Sequence, residues 1–242
     1  MEAIKLSKLK IKILADALGK PVMNYQKLHQ TSKILKLSNK KTINPKVQLK
    51  EYIRLEKFIL DKSDLDQNTK SIRLHRKKSK IRFDLDQIST ILFLSGGLER
   101  IENGLSTSFH LYKGQYAVEV YLYSLESELP VGFYHYNPLN HSLDILPFKK
   151  EPNFKNILKS LNKAKVVIFI TGVFDRLVSL TGDRGYNLVL KQTGYLSQNI
   201  RANASLYGVE SNIVEDFVSN SIESCLQLDS TREAVLEVIS LN

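Results

Sequence analysis

The chain has 242 residues and 43% of them are hydrophobic, so it is long enough for one or two domains with a sizeable core. A single cysteine, Cys225, excludes an internal disulfide and a cysteine-based metal cluster. No apolar run approaches the ~18 residues that identify a membrane-spanning helix. The opening "MEAIKLSKLKIKILADALG" carries lysines throughout and lacks the apolar core of a signal peptide. These features predict a cytoplasmic protein without a membrane segment.

The net charge of +10 is unevenly distributed along the chain. Residues 1–82 contain 22 Lys and Arg against 7 Asp and Glu, whereas residues 83–242 contain 13 against 18. A basic segment can bind nucleic acid, an anionic membrane surface or an acidic protein, and it can equally be a solvated surface. Lysine outnumbers arginine by 26 to 9, which argues against base recognition in nucleic acid. We expect residues 1–82 to contact an acidic leader peptide or partner subunit.

The first third of the chain has its own pattern of predicted elements. "LKIKIL" (Leu9–Leu14) alternates as a strand does, and residues 47–62 place their apolar side chains on a broad helical face. The polar stretch "DKSDLDQNTK" has no apolar period and is interpreted as a linker. We therefore predict a basic N-terminal region, residues 1–68, and a second domain, residues 69–242.

Helices and strands mix in the second domain without a regular βαβ repeat, which predicts the α+β class. A helix begins near Asp84 and ends at Gly96-Gly97. "QYAVEVYLYSL" has apolar residues on both faces, so a central strand is predicted. A hairpin turns at "NPLN" in "GFYHYNPLNHSLDILPF", and "AKVVIFITGVF" follows as a buried strand.

The last third is dominated by a predicted long helix, Arg184–Tyr207, with Val189, Leu196, Ile200 and Tyr207 on one stripe. Gly208 is expected to stop this helix. "SNSIESCLQLD" is predicted as a short helix capped by the side chain of Ser219 or Asn220, and "EAVLEVISL" as a final strand.

Four segments, in chain order, carry a family resemblance: "VEVYLY", "GFYHYNPLNHSLDIL", "RGYNLVLKQTGYLSQN" and "CLQLD". Together they resemble the SagB-type (McbC-like) azoline dehydrogenases, which are FMN-dependent members of the nitroreductase superfamily. The more specific parts are the Tyr-His-Tyr strand before Asn-Pro, and Arg-Gly-Tyr followed at a fixed distance by Gln-Asn. The resemblance extends over residues 86–242, about two-thirds of the chain.

This resemblance implies a nitroreductase-like fold, with a mixed sheet wrapped by helices and subunits paired through the long central helix Arg184–Tyr207. It also implies FMN bound between the subunits and a reaction that oxidises peptide thiazolines and oxazolines to azoles. In that reaction a base removes the ring Cα proton while the flavin accepts a hydride. The implied partners are a precursor peptide, a cyclodehydratase or other partner subunit, and a second subunit in a homodimer or heterodimer.

The family's usual Lys-Tyr pair before Arg-Gly-Tyr is replaced here by Leu180 and Thr181. Leucine cannot transfer a proton, and a threonine hydroxyl is too weak a base without a partner. The catalytic candidates are therefore Lys113, in the loop that the resemblance places at the flavin edge, and Tyr186. His110 is a further alternative.

The family's phosphate-binding run corresponds to "RKKSKIR", where the candidate ligands of FMN are Arg76, Lys78, Ser79 and Lys80. A basic linker at the domain boundary explains the same run equally well. The resemblance adds Arg184 and Asn199 on the long helix as candidate cofactor-binding residues.

Two departures affect the implied flavin contacts. Residues 110–113, "HLYK", replace small residues that let the backbone approach the isoalloxazine, and Glu215-Asp216 replace a Gly-Gly-like turn. No histidine spacing suits a metal. The sequence thus leaves two functions open: an FMN-dependent azoline dehydrogenase, or a catalytically degenerate nitroreductase-fold subunit that scaffolds a peptide-modifying complex.

Overall fold

The computed structural model describes residues 27, 31–33, 47, 49–61, 83–101, 104–148 and 164–242. The predicted strand Leu9–Leu14 and the predicted boundary near Asn68 lie outside these residues. The elements with described bounds are, in chain order, β1 (Lys57–Ile59), α1 (Leu85–Gly96), β2 (Glu99–Ile101), β3 (Gly104–Ser106), β4 (Val118–Ser124), β5 (Gly132–Asn137), β6 (Ser142–Leu146), β7 (Val166–Val173), α2 (Asp175–Thr181), α3 (Arg184–Leu206), β8 (Ser211–Ile213), α4 (Ser219–Leu226) and β9 (Glu233–Leu241).

Seven strands form one sheet in the order β1-β6-β5-β4-β7-β9-β8, and each neighbouring pair is antiparallel. β2 and β3 form a separate hairpin. The centre of the sheet is β4 and β7, whose residues are buried almost throughout. Apolar residues on both faces of these strands place them between two layers, which confirms the predicted central strand and the α+β class.

The two faces of the sheet bury separate apolar clusters, because successive side chains in a strand point to opposite sides. One face carries Val120 and Leu122 of β4 and packs against Ile91 of α1 and Leu196 and Ile200 of α3. The other face carries residues of β4, β5 and β7 and packs against α4 and the segment around Tyr52; these residues are Tyr121, Tyr123, Phe133, Val167 and Phe169.

The helix predicted over residues 47–62 is wrong for residues 49–61, which we call the strap below. They contain a turn at residues 53–55 followed by β1, which pairs with β6 at the edge of the sheet. Phe58 and Leu60 point into the core, whereas Ile53 and Ile59 are 84% and 74% exposed. The same apolar residues fit a period of two as well as a helical face, and pairing with β6 decides between them.

The ends of the helices agree with the capping signals in the sequence at α1 and α3 but not at α4. Asp84 caps α1 and forms a capping box with Gln87, and α3 ends at Leu206, one residue before the predicted end. The predicted side-chain cap of α4 is wrong: Val218 is the N-cap, and Ser219 is already the first helical residue. Within the described residues, no helix is long and apolar enough to cross a membrane.

Candidate functional site

The candidate site lies where α2, the start of α3 and residues 107–117, called the site loop below, come together. Gly185, the second residue of α3, is buried against α2. A Cβ at this position would lie 2.4 Å from the backbone nitrogen of Val178 and 2.5 Å from the carbonyl carbon of Leu177. Only glycine allows this approach, which gives the glycine of the Arg-Gly-Tyr segment a structural reason.

A small apolar cluster holds the three parts of the site together. Ala117, Leu177 and Val189 form its buried centre, and Tyr112 and Phe174 pack against it. The ring of Tyr186 stacks on that of Phe174, with 5.3 Å between centroids and 27° between planes. The ring of Tyr186, a predicted catalytic residue, therefore has a packing role beside this cluster.

Lys113, the other predicted catalytic residue, lies at the tip of a tight turn in the site loop. The backbone nitrogen of Gln115 donates to the carbonyl of Tyr112 at 3.0 Å, and Lys113 and Gly114 between them have φ of 51° and 72°. Two consecutive positive φ values are typical of a type I′ turn. The Lys113 ammonium lies 5.6 Å from the centroid of the Tyr112 ring, a cation–π contact. Lys113 and Tyr186 thus flank the same cluster from the loop side and the helix side.

The site loop accommodates its large side chains inside the protein. Leu111 packs against the core beneath α1 and α3, and Tyr112 against the small cluster at α2. His110 is exposed. The side chains of Leu111 and Tyr112, which were predicted to obstruct the isoalloxazine, therefore point toward the protein interior.

Leu180 and Thr181 end α2, and the hydroxyl of Thr181 is engaged within the helix. Its Oγ1 donates to the carbonyl oxygen of Leu177 at 2.8 Å. A hydroxyl in this arrangement caps its own helical turn and offers no basic group to a substrate.

Arg184 lines a depression of about 340 Å³ at the start of α3, together with Ser32, Asn187, Leu188, Leu190 and Lys191. The Nε of Arg184 is buried and has no hydrogen-bond partner among the described residues. Asn187 donates to Ser32 at 2.9 Å across this depression. Two cationic side chains, an amide and a hydroxyl form a donor set that fits an anionic group such as a phosphate.

Asn199 has a different environment from Arg184. Its Nδ2 donates to Ser108 Oγ at 3.0 Å and to the carbonyl of Ser95 at 3.3 Å, which fastens the site loop to α1. The two residues are 15 positions apart on α3, roughly 22 Å at 1.5 Å per residue. The structure therefore does not bring Arg184 and Asn199 into one compact pocket of a single chain.

The remaining sequence candidates contribute less to the described site. Arg76, Lys78, Ser79 and Lys80 lie outside the described residues. Glu215 and Asp216 are exposed. Among the described residues, Arg184 and Lys191 supply the cationic side chains of the depression, and the proton-transfer roles of Lys113 and Tyr186 stay predictions.

Sequence reasoning missed a chain of charged side chains buried on the sheet face opposite α1 and α3. His135 of β5 lies at its centre, with no exposed surface. Its Nε2 is 2.9 Å from Glu119 Oε2 in β4, and its Nδ1 is 3.2 Å from Asp144 Oδ2 in β6. Beyond these carboxylates, Glu119 bonds to Arg176 of α2, and Asp144 bonds to Lys57 of the strap. Positive and negative side chains alternate along this series. We call the five residues the ionic chain; in order they are Lys57, Asp144, His135, Glu119 and Arg176.

The charges of the ionic chain stabilise one another. Burial alone would lower the pKa of His135, but its hydrogen bonds and charge interactions with Asp144 and Glu119 outweigh burial and raise it. Burial would raise the pKa of Glu119, but the Arg176 guanidinium and His135 lower it. The pKa of Asp144 is lowered in the same way, against burial, by His135 and Lys57. The hydrogen bonds and opposite charges of the ionic chain therefore favour the charged forms of His135, Glu119 and Asp144.

A second polar group lies beside the ionic chain. Lys50 of the strap is 2.6 Å from Glu233 of β9, which also accepts from Tyr121 at 2.9 Å and from Thr171 at 2.7 Å. Burial and the charge of Glu233 raise the pKa of Tyr121 far above its ordinary value. Two lysines of the basic N-terminal region are thus bound to carboxylates of the chain's own sheet.

One sequence signal pointed to this arrangement. Glu119, His135 and Asp144 each interrupt an otherwise apolar strand, and β4, β5 and β6 are neighbours in the sheet. Their alignment required the register, in which His135 pairs with Asp144 and with Tyr121. In the described part of the chain, no group of three or more His, Cys, Asp or Glu side chains is placed to hold a metal ion.

Comparison with known proteins identifies relatives of this architecture. No protein-family model matches the sequence. A protein of Methanocaldococcus jannaschii named as a nitroreductase is 27% identical over 151 residues, which covers 60% of this chain and 74% of that protein. The sequence similarity is modest, so the solved structures carry the fold comparison.

A nitroreductase-named protein of Anabaena variabilis superposes with a TM-score of 0.65 at 22% identity, over 89% of this chain. The alignment covers only 45% of that protein, so this chain spans less than half its length. A chain of the E. coli microcin synthetase McbBCD complex, solved with truncated pro-MccB17 bound, gives 0.58 at 17% identity, over 92% of this chain and 81% of that one. A Ralstonia eutropha protein, also named as a nitroreductase, superposes with a TM-score of 0.54 at 16% identity, over 69% of this chain and 78% of that one. The seven-stranded antiparallel sheet with its long helix α3 is therefore a nitroreductase-like fold.

Proposed function

We propose that this protein is a flavin-dependent oxidoreductase component of ribosomal peptide biosynthesis, which oxidises azolines in a precursor peptide to azoles. The observation that carries the proposal is the fold shared with a chain of McbBCD, a complex that was solved with a pro-MccB17 peptide. Fold alone does not establish activity, so the proposal also depends on the residues at the start of α3 and in the site loop.

Arg184 and Lys191 would hold the phosphate of FMN in the depression beside α3, because Arg184 Nε is buried and has no partner among the described residues. FMN, when bound, supplies the hydride acceptor for azoline oxidation. Lys113, as the neutral amine, would take the ring Cα proton and become an ammonium, since it lies at the tip of the site-loop turn. Asn199 would keep the loop against α1 through Ser108.

The expected ligand of the basic N-terminal region is an acidic leader peptide or partner subunit, such as a cyclodehydratase. Lys50 and Lys57 are already paired within the chain, so the remaining cations of residues 1–82 would serve this contact. An interaction of this kind should weaken steeply with added salt. We also propose a dimer, either with a second copy or with a related chain, through the outer side of α3.

A second candidate function is a non-catalytic subunit that scaffolds a peptide-modifying complex. The engaged hydroxyl of Thr181 favours it, together with the leucine at position 180. In this case Arg184 and Tyr186 would serve packing at the α2–α3 junction, and the phosphate site would be a remnant.

Purification of the full chain with excess FMN tests both candidates. The dehydrogenase proposal expects a yellow protein with stoichiometric flavin, whose flavin is reduced anaerobically by an azoline peptide. Arg184→Gln should lower the flavin content, and Lys113→Ala should slow flavin reduction by about a hundredfold or more without lowering flavin content. Arg100→Gln, at an exposed position of β2 outside the candidate site, is the matched control.

The outcomes separate the two functions. A protein that remains colourless at high FMN concentration contradicts the dehydrogenase proposal and supports the scaffold. A flavin-loaded protein with full activity rules out the scaffold, and undiminished activity in Lys113→Ala removes Lys113 as the base.

A further inference from the structure

The strap is fixed to the sheet by its backbone and by buried side chains. The nitrogen of Ile145 donates to the carbonyl of Glu56 at 2.9 Å, and the nitrogen of Leu60 to that of His141 at 3.1 Å. The ring of Tyr52 contacts the ring of His135 edge-on, at 5.0 Å between centroids. The ionic chain therefore begins on a segment that is held in register with β6.

The other end of the ionic chain holds the site loop. Arg176 is buried, and its Nη1 donates to the carbonyl of Tyr116 at 2.9 Å while its Nη2 binds Glu119. Gln192 of α3 holds the adjacent peptide groups, accepting from the nitrogen of Ala117 at 2.9 Å and donating to the carbonyl of Gln115 at 2.9 Å. The position of the Lys113 turn is thus set by contacts just C-terminal to it, and Arg176 supplies one of them.

The centre of the chain requires a charged imidazole. Both ring nitrogens of His135 face carboxylate oxygens, and an ionised carboxylate accepts hydrogen bonds only. A neutral imidazole has one N–H, so one of its nitrogens would face a carboxylate without a proton between them. Among the described residues, the rings of Tyr121 of β4 and Tyr52 of the strap also contact the imidazole, and neither ring carries a positive charge. The Lys50 ammonium binds the Tyr121 hydroxyl.

We infer that the strap positions the site loop through this ionic chain, with protonated His135 as the link between Lys57–Asp144 on one side and Glu119–Arg176 on the other. Loss of the His135 proton removes the cation between the two buried carboxylates and one of the two imidazole N–H donors. Glu119, the partner of Arg176, is then held less firmly. The Tyr116 carbonyl, and with it the turn that carries Lys113, is then held less tightly. The functional meaning of this coupling rests on the proposed role of the site loop beside a flavin, but the coupling itself is measurable without flavin.

Hydrogen exchange of the site-loop amides, corrected for intrinsic rates and measured on the full chain without FMN, tests the coupling. We expect protection of residues 111–117 to fall by about tenfold as pH rises through the pKa of His135, which is followed in parallel by the NMR shifts of its ring protons. His135→Arg keeps a permanent cation that can donate to both carboxylates, and its loop protection should stay constant over the same pH range. Loop protection that does not follow the His135 titration, or that falls equally in His135→Arg, overturns the inference.

A pair of strap lysines provides a matched test should His135→Arg fold poorly. Lys57 and Lys50 have side chains that are 30% and 26% exposed, and each binds one carboxylate. Lys57→Met removes the first member of the ionic chain, whereas Lys50→Met removes a partner of Glu233, which lies outside it. We expect Lys57→Met to accelerate exchange in the site loop by about tenfold, and Lys50→Met to leave it within about twofold. Equal effects of the two variants would indicate general loosening of the strap and would contradict a route through His135.

FMN affinity then separates this inference from the proposed function. Weaker FMN binding in Lys57→Met than in Lys50→Met extends the positioning role to the cofactor. If neither variant nor the wild type binds FMN while the loop exchange still follows His135, the coupling stands and the dehydrogenase proposal fails.

Discussion

Thr181 donates its hydroxyl proton to the carbonyl oxygen of Leu177, one turn earlier in α2, at 2.8 Å. A hydroxyl committed to its own helix contributes nothing to proton transfer, so Thr181→Ala should leave azoline-dependent flavin reduction unchanged. The double variant Leu180→Lys with Thr181→Tyr restores the side chains usual in the resembling family, and a flavin-loaded protein should gain about a hundredfold in rate. Stopped-flow absorbance of the flavin measures both. A marked loss in Thr181→Ala would show that the hydroxyl acts in the reaction.

Removal of one buried charge should destabilise the fold more than removal of an exposed one. Glu119→Gln leaves His135 and Arg176 facing each other without a carboxylate, and should lower the free energy of unfolding by about 3–5 kcal/mol. Asp175→Asn breaks an exposed pair with Arg232, 3.8 Å apart, and should cost less than about 1 kcal/mol. Denaturation in urea, followed by circular dichroism, measures both values. Similar losses in the two variants would contradict the assigned importance of burial.

The stability of the protein should depend on pH in a defined window. The folded pKa of His135 lies above its ordinary value of 6.5, so its contribution is complete below pH 6.5 and is lost as pH rises through the folded value. Glu119 and Asp144 have folded pKa values below their ordinary 4.5 and 3.8, so their contributions are complete above those values and are lost as pH falls. We therefore expect a maximum between about pH 4.5 and 6.5 from these groups.

Urea midpoints measured from pH 3 to pH 10 in wild type and His135→Arg test this sign. The variant should still lose stability as pH falls toward 3, but it should not show the loss of stability at high pH that comes from His135. An unchanged alkaline limb would assign that loss of stability to other groups.

The outer side of α3 should form a dimer interface. Leu190, Tyr195 and Leu206 are 40%, 47% and 45% exposed, and a Cβ on Gly194 would meet nothing within 4 Å. Exposed apolar side chains on a long helix suit a symmetric contact with a second subunit. Sedimentation at micromolar concentration should give a dimer for wild type and a monomer for Tyr195→Glu. Val131→Glu, at an apolar residue that is 51% exposed before β5, should remain dimeric.

Gly185 should tolerate no side chain. A Cβ there would overlap the backbone of α2, which cannot move away as a flexible side chain can. We expect Gly185→Ala to lower the free energy of unfolding by about 1–3 kcal/mol, as overpacked cores do. Ser205→Ala, at an exposed position of the same helix, should change it by less than about 0.5 kcal/mol. Thermal or urea denaturation distinguishes the two, and a neutral Gly185→Ala would show that the helices separate easily.

The sequence predicted the elements whose signals are local. β4, β7 and β9 are apolar over most of their length, and α3 carries Val189, Leu196 and Ile200 on one buried stripe. The strap was misassigned because its apolar spacing fits two periods, and only the free edge of β6 selects the strand. α2, β2, β3 and β8 are short, and their formation depends on tertiary neighbours.

Prediction of the candidate site was limited for a related reason. The loss of a base at Leu180 and Thr181 is visible in the residue types, and the helical bond of Thr181 agrees with it. Glu119, His135 and Asp144 each interrupt an apolar strand, but their alignment depends on the register of β4, β5 and β6, which the residue pattern does not specify. The partners of Arg176 and Lys57 require the same knowledge of sheet order.

Among the described residues, the sheet ends on both sides in a strand of three residues, β1 and β8. Such short edges offer few unpaired peptide groups to a strand of another molecule, which protects a sheet from edge-to-edge aggregation. The protection at β1 depends on the strap, because its removal would make β6 the edge, a longer strand with the carboxylate of Asp144 no longer paired to Lys57. The interior strands "VEVYLYS" and "VVIFITGV" have the composition of segments that stack into cross-β fibres once exposed. We therefore expect deletion of the strap to expose a longer sheet edge and to appear first as insolubility.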